Sequence, residues 1–417
     1  MVVDVAVLVT LDSKGAEGRF LCEALVRAGA QPWIIDLSMR PHDIDDAHVH
    51  GGEVAKAADT TWETLASLSR AEAGETMITG GTKVLLDKFQ RGDIAGVIGV
   101  GGANGATIEC AMMRALPPLF PKVMVSPVAG TAAVQWYVAE SNIAMFPTIG
   151  DISLNRITRA VMENAAQAIT GMARARAATP AQTQADPPLI GVSSFGNLQQ
   201  CVDRISKRLE AAGYEVIHFH SSGPGGMALE SLAGLDELAG VIDVTTSELA
   251  DLLAGGVYNA GDGRLRTAGT AGLPQVVVPG ALDVINFWVG EVPERYRGRD
   301  FHQYNVEILL MRTNAEEFAT LGEMMAERLN AATGPFAVLI PTRGFSQITD
   351  FRTHDIDGNE TGSWHQPQTD QVFTDSLRQH LSKTDAIEEL ELHINDPEFA
   401  NACVNAFLKL RRDENPS

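Results

Sequence analysis

A glycine-rich stretch between an apolar strand and a helix constrains the fold of this chain more than any other feature. The segment 97–100 is apolar or glycine and is typical of a strand buried on both faces. Thr107 opens a run with apolar residues at helical spacing. Glycine lets backbone N–H groups approach a ligand closely, and the dipole of a helix N-terminus favours negative charge. The stretch therefore predicts an α/β fold with a phosphate or carboxylate site, and a tight turn without a ligand is the alternative. The residues expected to contact this ligand are Gly99, Gly101, Gly102, Asn104, Gly105 and Thr107.

The turn differs from the two best-known phosphate-binding fingerprints. A Rossmann G-x-G-x-x-G sequence would place glycine where Asn104 stands, and a P-loop would need Gly-Lys-Ser/Thr where Gly105-Ala-Thr107 stands. The next strand, predicted over 122–126, also ends without the acidic residue that would bind a ribose. NAD and a Walker-type ATPase are therefore disfavoured, but another phosphorylated or anionic ligand is not.

The order of elements predicts two α/β units. The first opens with a buried strand over 2–10, a helix that ends near Gly29 and a second strand over 33–36, and it closes with a long helix over 152–178. The second opens with a strand over 189–194 and closes with a strand over 389–394 and a helix. A Pro- and Ala-rich linker is predicted at 179–188, between Rossmann-like subdomains at 1–178 and 189–417. Each subdomain is expected to be a mostly parallel sheet flanked by helices.

Polar residues after neighbouring strands extend the predicted anion site. The carboxyl ends of parallel strands meet at one edge of a sheet, where the ligands of such sheets bind. Asp12 and Lys14 follow the first strand, where Lys14 would neutralise a phosphate and Asp12 would hold Mg²⁺ or a ribose hydroxyl. Ser126, Gly130 and Thr131 follow the strand after the glycine turn and are candidate neighbours of the ligand. A helix cap at Asp12 and a solvated Lys14 are the alternative for the first pair.

A second set of candidate residues follows strands of the second unit. His220 ends an alternating strand beside a second glycine turn, and Glu230 lies on the next helix, so His220 is a candidate general acid/base. Asp243 lies within an apolar strand, where an ionised carboxylate needs a partner. Asp283 follows another strand, and Arg343 is a natural clamp for a carboxylate or oxyanion. The alternative for His220 is a packing or helix-capping histidine. Glu248 follows the strand of Asp243 and could coordinate a ligand, but a capping box with Thr245 is favoured.

The bulk composition excludes several classes of partner. A net charge of −21 argues against nucleic acids and anionic membrane surfaces, which attract basic proteins. No segment has the length and apolar composition of a membrane span, and no signal peptide is predicted. Four scattered cysteines without a C-x-x-C pair indicate a reducing compartment, so a cytoplasmic location is predicted. The histidine-rich segment 41–60 is interpreted as a lid-like loop rather than a metal site, and the identity of any bound metal stays open.

Taken together, these motifs resemble one family. The chain is similar to proteins related to the N-terminal domain of the tomato mosaic virus resistance protein, the Tm-one-like ATP-binding proteins. The resemblance spans nearly the whole chain, in order. The motifs that carry it are 10–17, 99–107, 220–226, 243–248, 275–283, 309–313, 341–346 and 393–399.

The resemblance implies two Rossmann-like subdomains that self-associate, with ATP bound at the first glycine turn. Ala129-Gly130-Thr131 stands where the family usually has Ser-Gly-Asp, so the use of Mg²⁺ stays open. Two functions also stay open. One is a nucleotide-binding protein without turnover, and the other is an enzyme that acts on a small phosphorylated or keto acid in a second-unit cleft around His220.

Overall fold

The chain folds into two compact units. A computed structural model describes residues 2–178, 186–235 and 237–414 of the 417-residue chain. One unit precedes the segment 179–185 and the other follows it. Most of the predicted linker, residues 179–188, falls on that segment and so lies outside the described residues.

The first unit is built on a five-stranded parallel sheet. Its strands are β1 (Val3–Val9), β2 (Ala30–Asp36), β3 (Gly96–Val100), β4 (Lys122–Val125) and β5 (Ala144–Phe146). Hydrogen-bonded neighbours follow the order β2-β1-β3-β4-β5, and every pair is parallel. The winding of the sheet therefore reverses between the adjacent strands β1 and β3.

Helices cover both faces of this sheet. They are α1 (Leu11–Ala28), α2 (Gly51–Ala57), α3 (Trp62–Ser67), α4 (Arg70–Gln90), α5 (Ala103–Arg114), α6 (Val134–Val138) and α7 (Arg156–Ala178). Val5 and Val7 of β1 pack with α1 and α7 on one face, whereas Ala6 and Leu8 pack with α4 and α5 on the other. Because both faces are covered, the strands are almost continuously apolar, as predicted.

Three local predictions in the first unit are wrong. The helix after the glycine turn begins at Ala103, four residues before Thr107, because Gly102 has the extended backbone of an N-cap. The closing helix begins at Arg156 rather than at residue 152. The second half of the loop predicted over 41–60 contains α2, whose first turn is held by a capping box between His50 and Glu53.

The second unit contains two sheets. Six strands form a parallel sheet in the order β16-β13-β9-β8-β6-β7. They are β6 (Leu189–Ser194), β7 (Glu215–His220), β8 (Gly240–Thr245), β9 (Gln275–Gly280), β13 (Phe336–Pro341) and β16 (Ile387–Leu390). The last strand ends at Leu390, so the strand predicted over 389–394 is displaced toward the N-terminus.

The other sheet is antiparallel and was not predicted. Its order is β10-β12-β11-β14-β15. The strands are β10 (Val284–Trp288), β11 (Phe301–Gln303), β12 (Ile308–Arg312), β14 (Arg352–His354) and β15 (Glu360–Ser363). It has five strands against eleven parallel strands in the two other sheets, so the prediction of two mostly parallel, Rossmann-like units is confirmed.

Helices of the second unit enclose its parallel sheet. They are α8 (Gln199–Ala211), α9 (Pro224–Ala233), α10 (Glu248–Ala254), α11 (Thr267–Thr270), α12 (Ala315–Asn330), α13 (Pro367–His380) and α14 (Pro397–Glu414). One core cluster joins α8 and α14 to the sheet, and a second joins α12 and α13 to it. Within the described ranges, no helix of either unit is long and apolar enough to cross a membrane.

Candidate functional site

A cavity of about 900 Å³ lies at the carboxyl ends of β1 and β3. The loop after β1 contributes Asp12 and Lys14, and the turn after β3 contributes Gly102, Asn104 and Gly105. Doubly wound sheets bind ligands where the winding reverses, which in this unit is between β1 and β3. The volume lies within the range of roughly 300–1,000 Å³ that is usual for small-molecule sites. We refer to it as the switch-point cavity.

The N-terminus of α5 opens onto the switch-point cavity. Gly102, Ala103, Asn104 and Gly105 all line the cavity wall. Among the described residues, no side chain caps this helix, and Gly102 itself has none to offer. The first amide groups of a helix lack intrahelical partners, and they favour an anion. The geometry therefore supports the anion site that the glycine turn predicts.

The N-terminus of α1, by contrast, is already satisfied by protein groups. Asp36, at the end of β2, is 1% exposed and accepts a hydrogen bond from the backbone N–H of Leu11 at 3.1 Å. The hydroxyl of Ser38 accepts from the N–H of Asp12 at 2.9 Å. The second oxygen of Asp36 lies 2.9 Å from Nε2 of His42. Asp36 was not among the predicted site residues, although an acidic residue at the end of a buried strand was a usable signal.

Three cationic side chains and one carboxylate line the cavity. The cations are Lys14, Arg40 and Arg70, and the carboxylate is Asp12. Nζ of Lys14 donates to the backbone oxygen of Ile152 at 2.8 Å, which fixes the ammonium group at the cavity wall. This local excess of positive charge contrasts with the net charge of −21 of the whole chain. The cavity is thus suited to an anion despite the overall field. Neither arginine was predicted, although Arg40 lies in the loop after β2, and Arg70 is the first residue of α4.

The cavity also has an apolar lining. Met39 precedes Arg40 in the loop after β2, and Tyr137 lies on α6. The remaining apolar contacts come from α3, α4 and the segment between them, and they are Leu65, Ala66, Leu68 and Ala73. No sequence pattern joined these residues to the glycine turn, since they are distant along the chain. The wall therefore offers apolar surface as well as positive charge.

Six of the predicted ligand-contacting residues line the cavity and five do not. Those in the lining are Asp12, Lys14, Gly102, Asn104, Gly105 and Thr107. Ser126 is fully buried, and its hydroxyl accepts from the N–H of Val128 at 3.4 Å. Gly130 and Thr131 belong to the short 3₁₀ turn after β4, where the Thr131 hydroxyl donates to the oxygen of Val128 at 2.8 Å. Neither of these lines the cavity either.

Gly99 and Gly101 are glycines because the side chain of Glu109 fills the space beside them. A Cβ atom built on Gly99 would lie 2.5 Å from Oε2 of Glu109, and one built on Gly101 would lie 2.8 Å from Oε1. Glu109 lies on α5 and is 0% exposed. Burial raises the pKa of Glu109 well above its ordinary value, and the nearby backbone of Val100 opposes this only in part. These two glycines accommodate a protein carboxyl group rather than lining the cavity.

The structure brings two of the predicted catalytic residues together on Arg264. This arginine is 0% exposed and binds Asp243 through two hydrogen bonds of 2.6 and 2.7 Å. Its Nη1 lies 3.5 Å from Oε1 of Glu230, and its Nε donates to Oε2 of Glu248 at 2.6 Å. Asp243 therefore has the partner that its position in an apolar strand required. Arg264 was not predicted because it lies in a loop without periodicity.

Glu230 and Glu248 also satisfy backbone groups. Oε2 of Glu230 accepts from the N–H of Thr267 at 2.7 Å, at the start of α11. Oε1 of Glu248 accepts from Gly223 and Gly226 at 2.8 and 3.2 Å. The capping-box interpretation of Glu248 is wrong, since the hydroxyl of Thr245 has no hydrogen-bond partner among the described residues. Burial raises the pKa of Glu248 although Arg264 opposes the shift. Through these hydrogen bonds, the carboxylates of Glu230 and Glu248 hold the starts of α11 and α9 in place.

The other three predicted catalytic residues lie apart from this cluster. Within the described part of the chain, no hydrogen bond or ion pair links them to Arg264. His220 is exposed, and its ring centroid is 5.6 Å from that of Phe195. Asp283 is buried and accepts from Ser346 Oγ at 2.8 Å and from an indole N–H. Arg343 is exposed. The geometry therefore does not assemble the predicted catalytic set.

Two family models and several known proteins match most of this chain. The model of the uncharacterised protein family UPF0261 N-terminal domain matches residues 3–178, and that of its C-terminal domain matches residues 187–411. A UPF0261 protein of Rhizobium meliloti is 39% identical over 409 residues, covering 95% of this chain and 96% of that protein. The ToMV resistance protein Tm-1 of Solanum lycopersicum is 33% identical over 324 residues, covering 76% of this chain and 42% of that protein.

Among solved structures, the UDP-N-acetylglucosamine 2-epimerase from Rickettsia bellii covers 98% of this chain and 96% of its own, at 9% identity and a TM-score of 0.24. A likeness of that degree bears on no functional argument. The sequence relatives are decisive, and they confirm the predicted relationship to the tomato resistance protein. The chain belongs to the uncharacterised protein family UPF0261.

Proposed function

We propose that the first unit binds a nucleotide, with ATP as the expected ligand, in the switch-point cavity. The observation that carries this proposal is the composition of the cavity wall. It combines the uncapped N-terminus of α5 and three cations with a set of apolar side chains. A nucleotide has both complementary parts, a polyanion and a planar, largely apolar base.

The phosphates would lie against the glycine turn. Backbone N–H groups at the start of α5 supply donors and the positive end of the helix dipole. Lys14, held at the wall by the oxygen of Ile152, supplies a fixed charge, and Arg40 and Arg70 supply two exposed ones. Arginine binds phosphate through paired N–H donors, so these two side chains suit a polyphosphate better than a single carboxylate.

The base would lie against the apolar part of the wall. Met39, Leu65, Leu68 and Tyr137 provide contact surface of the kind that surrounds ligand rings in small-molecule sites. An aromatic ring such as that of Tyr137 stacks on a nucleobase regardless of its identity. This part of the cavity supports a nucleotide over inorganic phosphate or a small keto acid.

A divalent cation would enter with the ligand rather than with the protein. Among the residues that the structure describes, no three His, Cys, Asp or Glu side chains are grouped to hold a metal ion. Asp12 is the carboxylate in the cavity wall, and it would contact Mg²⁺ carried by the phosphates. Among the described residues that line the cavity, Asp12 has no other carboxylate or histidine beside it to serve as a general base, which favours binding without turnover over hydrolysis.

Calorimetric titration with ATP, with and without Mg²⁺, tests the proposal. The variant Arg70→Ala removes a cation at the first residue of α4, and Arg91→Ala, the matched control, removes an exposed arginine just past the other end of that helix. We expect Arg70→Ala to weaken ATP binding about tenfold and Arg91→Ala to leave it unchanged, because a charge-assisted hydrogen bond contributes about that much. A wild-type protein that binds no ATP at roughly millimolar concentration, or equal losses in both variants, would contradict the proposal.

An enzyme centred on His220 has weaker support. Asp243 and Glu230 are engaged by Arg264 and by backbone groups, so they are not available as acid or base beside that histidine. This alternative is tested by measuring turnover of phosphorylated and keto acids. If His220 is the general acid/base, His220→Ala should abolish that turnover. Unchanged turnover in that variant would exclude this alternative.

We also infer that the protein self-associates and acts in the cytoplasm. Four free cysteines support a reducing compartment.

Exposed apolar side chains support self-association. Trp288, at the end of the edge strand β10, is 41% exposed, and Val306 of the β11–β12 turn is 86% exposed. Exposed apolar side chains at a sheet edge favour contact between subunits. Sedimentation equilibrium would show a monomer at all concentrations if this inference is wrong.

A further inference from the structure

Each unit has a glycine turn with a buried glutamate against it, but the two glutamates differ in whether they accept hydrogen bonds from the amides of the turn. In the second unit, Oε1 of Glu248 accepts hydrogen bonds from the N–H groups of Gly223 and Gly226. Those amides begin α9, which is the place where an anion would bind. A protein carboxylate thus occupies the second glycine turn as an internal ligand.

In the first unit, Glu109 is buried against the glycine turn from the helix that this turn opens, α5, whereas Glu248 reaches the start of α9 from α10. A Cβ atom built on Gly101 or Gly105 would lie 2.8 or 3.1 Å from its Oε1, so the carboxyl group is directly against the turn. Glu109 is 0% exposed, yet neither of its oxygens has a hydrogen-bond partner of regular geometry among the described residues. A buried polar group without a partner requires an explanation.

Peptide geometry links this carboxyl group to the cavity on the other side of the turn. In a trans peptide the N–H and C=O groups point in opposite directions. Amides that donate to a ligand therefore turn their carbonyl oxygens away from it. A neutral carboxylic acid can donate to such an oxygen, whereas a carboxylate accepts only and would attract the N–H groups to itself.

We propose that Glu109 is a positioning residue that controls whether the first glycine turn can bind an anion. As a neutral acid it leaves the amides of the turn free for the ligand. As a carboxylate it captures them, as Glu248 captures those of Gly223 and Gly226, and its charge repels the anion. This inference rests on the proposed nucleotide site and adds proton-linked control of it.

The surroundings of Glu109 favour the neutral acid. The side chains nearest to Gly99 beside it, Met113 of α5 and Met124 of β4, are apolar. The buried thiol of Cys110 is next to it on the same helix, and burial raises the pKa of that thiol to about 12. The buried ammonium group of Lys122, at the start of β4, donates to the backbone oxygens of Pro117 and Pro118 at 2.6 and 3.2 Å, so its hydrogen-bond partners are carbonyl oxygens rather than Glu109. Because burial raises the pKa of Glu109 well above its ordinary value, the neutral form persists to higher pH than for an exposed glutamate.

The sign of the effect follows from linkage. An anion that binds only the protonated form is bound well below the pKa of Glu109, and its affinity falls as the pH rises through that value. The variant Glu109→Gln cannot ionise and keeps nearly the same shape, so it separates this effect from the titration of the ligand itself. Glu75→Gln, at an exposed position on α4, is the matched control.

The test is calorimetric titration with ATP of the full-length wild type and both variants between about pH 6 and pH 9. We expect wild type and Glu109→Gln to bind equally at the low end and Glu109→Gln to bind about tenfold or more tightly at the high end, since one unit charge near the phosphates produces an effect of that order. Glu75→Gln should follow wild type throughout. Infrared difference spectra of ligand-free wild type against Glu109→Gln should also show a carboxylic acid band that disappears over the same pH range.

The outcomes separate this inference from the proposed function. A constant ratio of dissociation constants for wild type and Glu109→Gln across the pH range overturns the role of Glu109 and leaves the nucleotide site standing. A carboxylate band for Glu109 at the low end of the range, with no acid band, overturns it even if Glu109→Gln fails to fold. Absence of ATP binding by all three proteins at every pH overturns both proposals.

Discussion

The buried carboxyl group of Asp251 should make the second unit less stable as the pH rises toward neutrality. Asp251 lies on α10 and is 0% exposed. Its oxygens accept from the backbone N–H and the side-chain amide of Asn286 at 2.7 and 2.8 Å. Burial raises its pKa from 3.8 to about 8, although these two hydrogen bonds act in the opposite direction.

The magnitude follows from proton linkage. The folded state keeps a proton that the unfolded state releases above its own pKa of 3.8, so the free energy of unfolding falls as the pH rises between 3.8 and about 8. The slope approaches 1.4 kcal/mol per pH unit, which is about 3 kcal/mol between pH 5 and pH 7.5. Asp251→Asn cannot ionise and lacks this loss. Its stability relative to wild type should therefore increase by about 3 kcal/mol over that range.

Equilibrium unfolding in urea at several pH values measures this difference. Wild type, Asp251→Asn and the control Asp262→Asn, at an exposed loop position, would be followed by circular dichroism and by the fluorescence of the tryptophans. The comparison between variants cancels the titration of all other groups. A difference between Asp251→Asn and wild type that does not change with pH would refute the argument that Asp251 is protonated in the folded protein.

Two further substitutions test the structural roles assigned above. Arg264→Met should lower the free energy of unfolding by about 3–5 kcal/mol, because it leaves buried carboxylates without their cation. The control Arg266→Met breaks an exposed ion pair and should lower the free energy of unfolding by under about 1 kcal/mol. Equal urea midpoints for the two variants would contradict this prediction. Gly101→Ala should destabilise the first unit by about 1–3 kcal/mol, because the added Cβ would overlap with Glu109. The control Gly102→Ala should not destabilise it, since a Cβ there would meet nothing within 4 Å. Identical thermal unfolding midpoints for the two variants without ligand would refute the close packing at Gly101.

Local sequence predicted the elements that one strong pattern defines. The continuous apolar runs of β1 and β3 occur only where both faces of a sheet are covered, so they identified a parallel sheet without knowledge of its helices. The antiparallel sheet was missed because its strands are short, with three residues in β11, three in β14 and four in β15. Periodicity cannot identify strands of that length.

The candidate site was predicted where it is local in sequence and missed where it is not. Gly102, Asn104 and Gly105 belong to one motif and line the switch-point cavity, as does Lys14 after β1. Arg70 enters the same cavity from a helix start more than thirty residues before the glycine turn, and nothing in its neighbours indicates this. The second-unit prediction treated carboxylates at strand ends as available, but Arg264 engages two of them.

By itself, the sequence determined the family, the two α/β units and the presence of a glycine turn before a helix, because each depends only on the order of residues along the chain. The tertiary structure alone decided what each glycine does. Gly99 and Gly101 make room for Glu109, Gly102 and Gly105 face a cavity, and the amides of Gly223 and Gly226 are bound by Glu248. The reason is physical, since a missing side chain permits close approach but does not specify which group approaches. Packing between distant segments supplies that group.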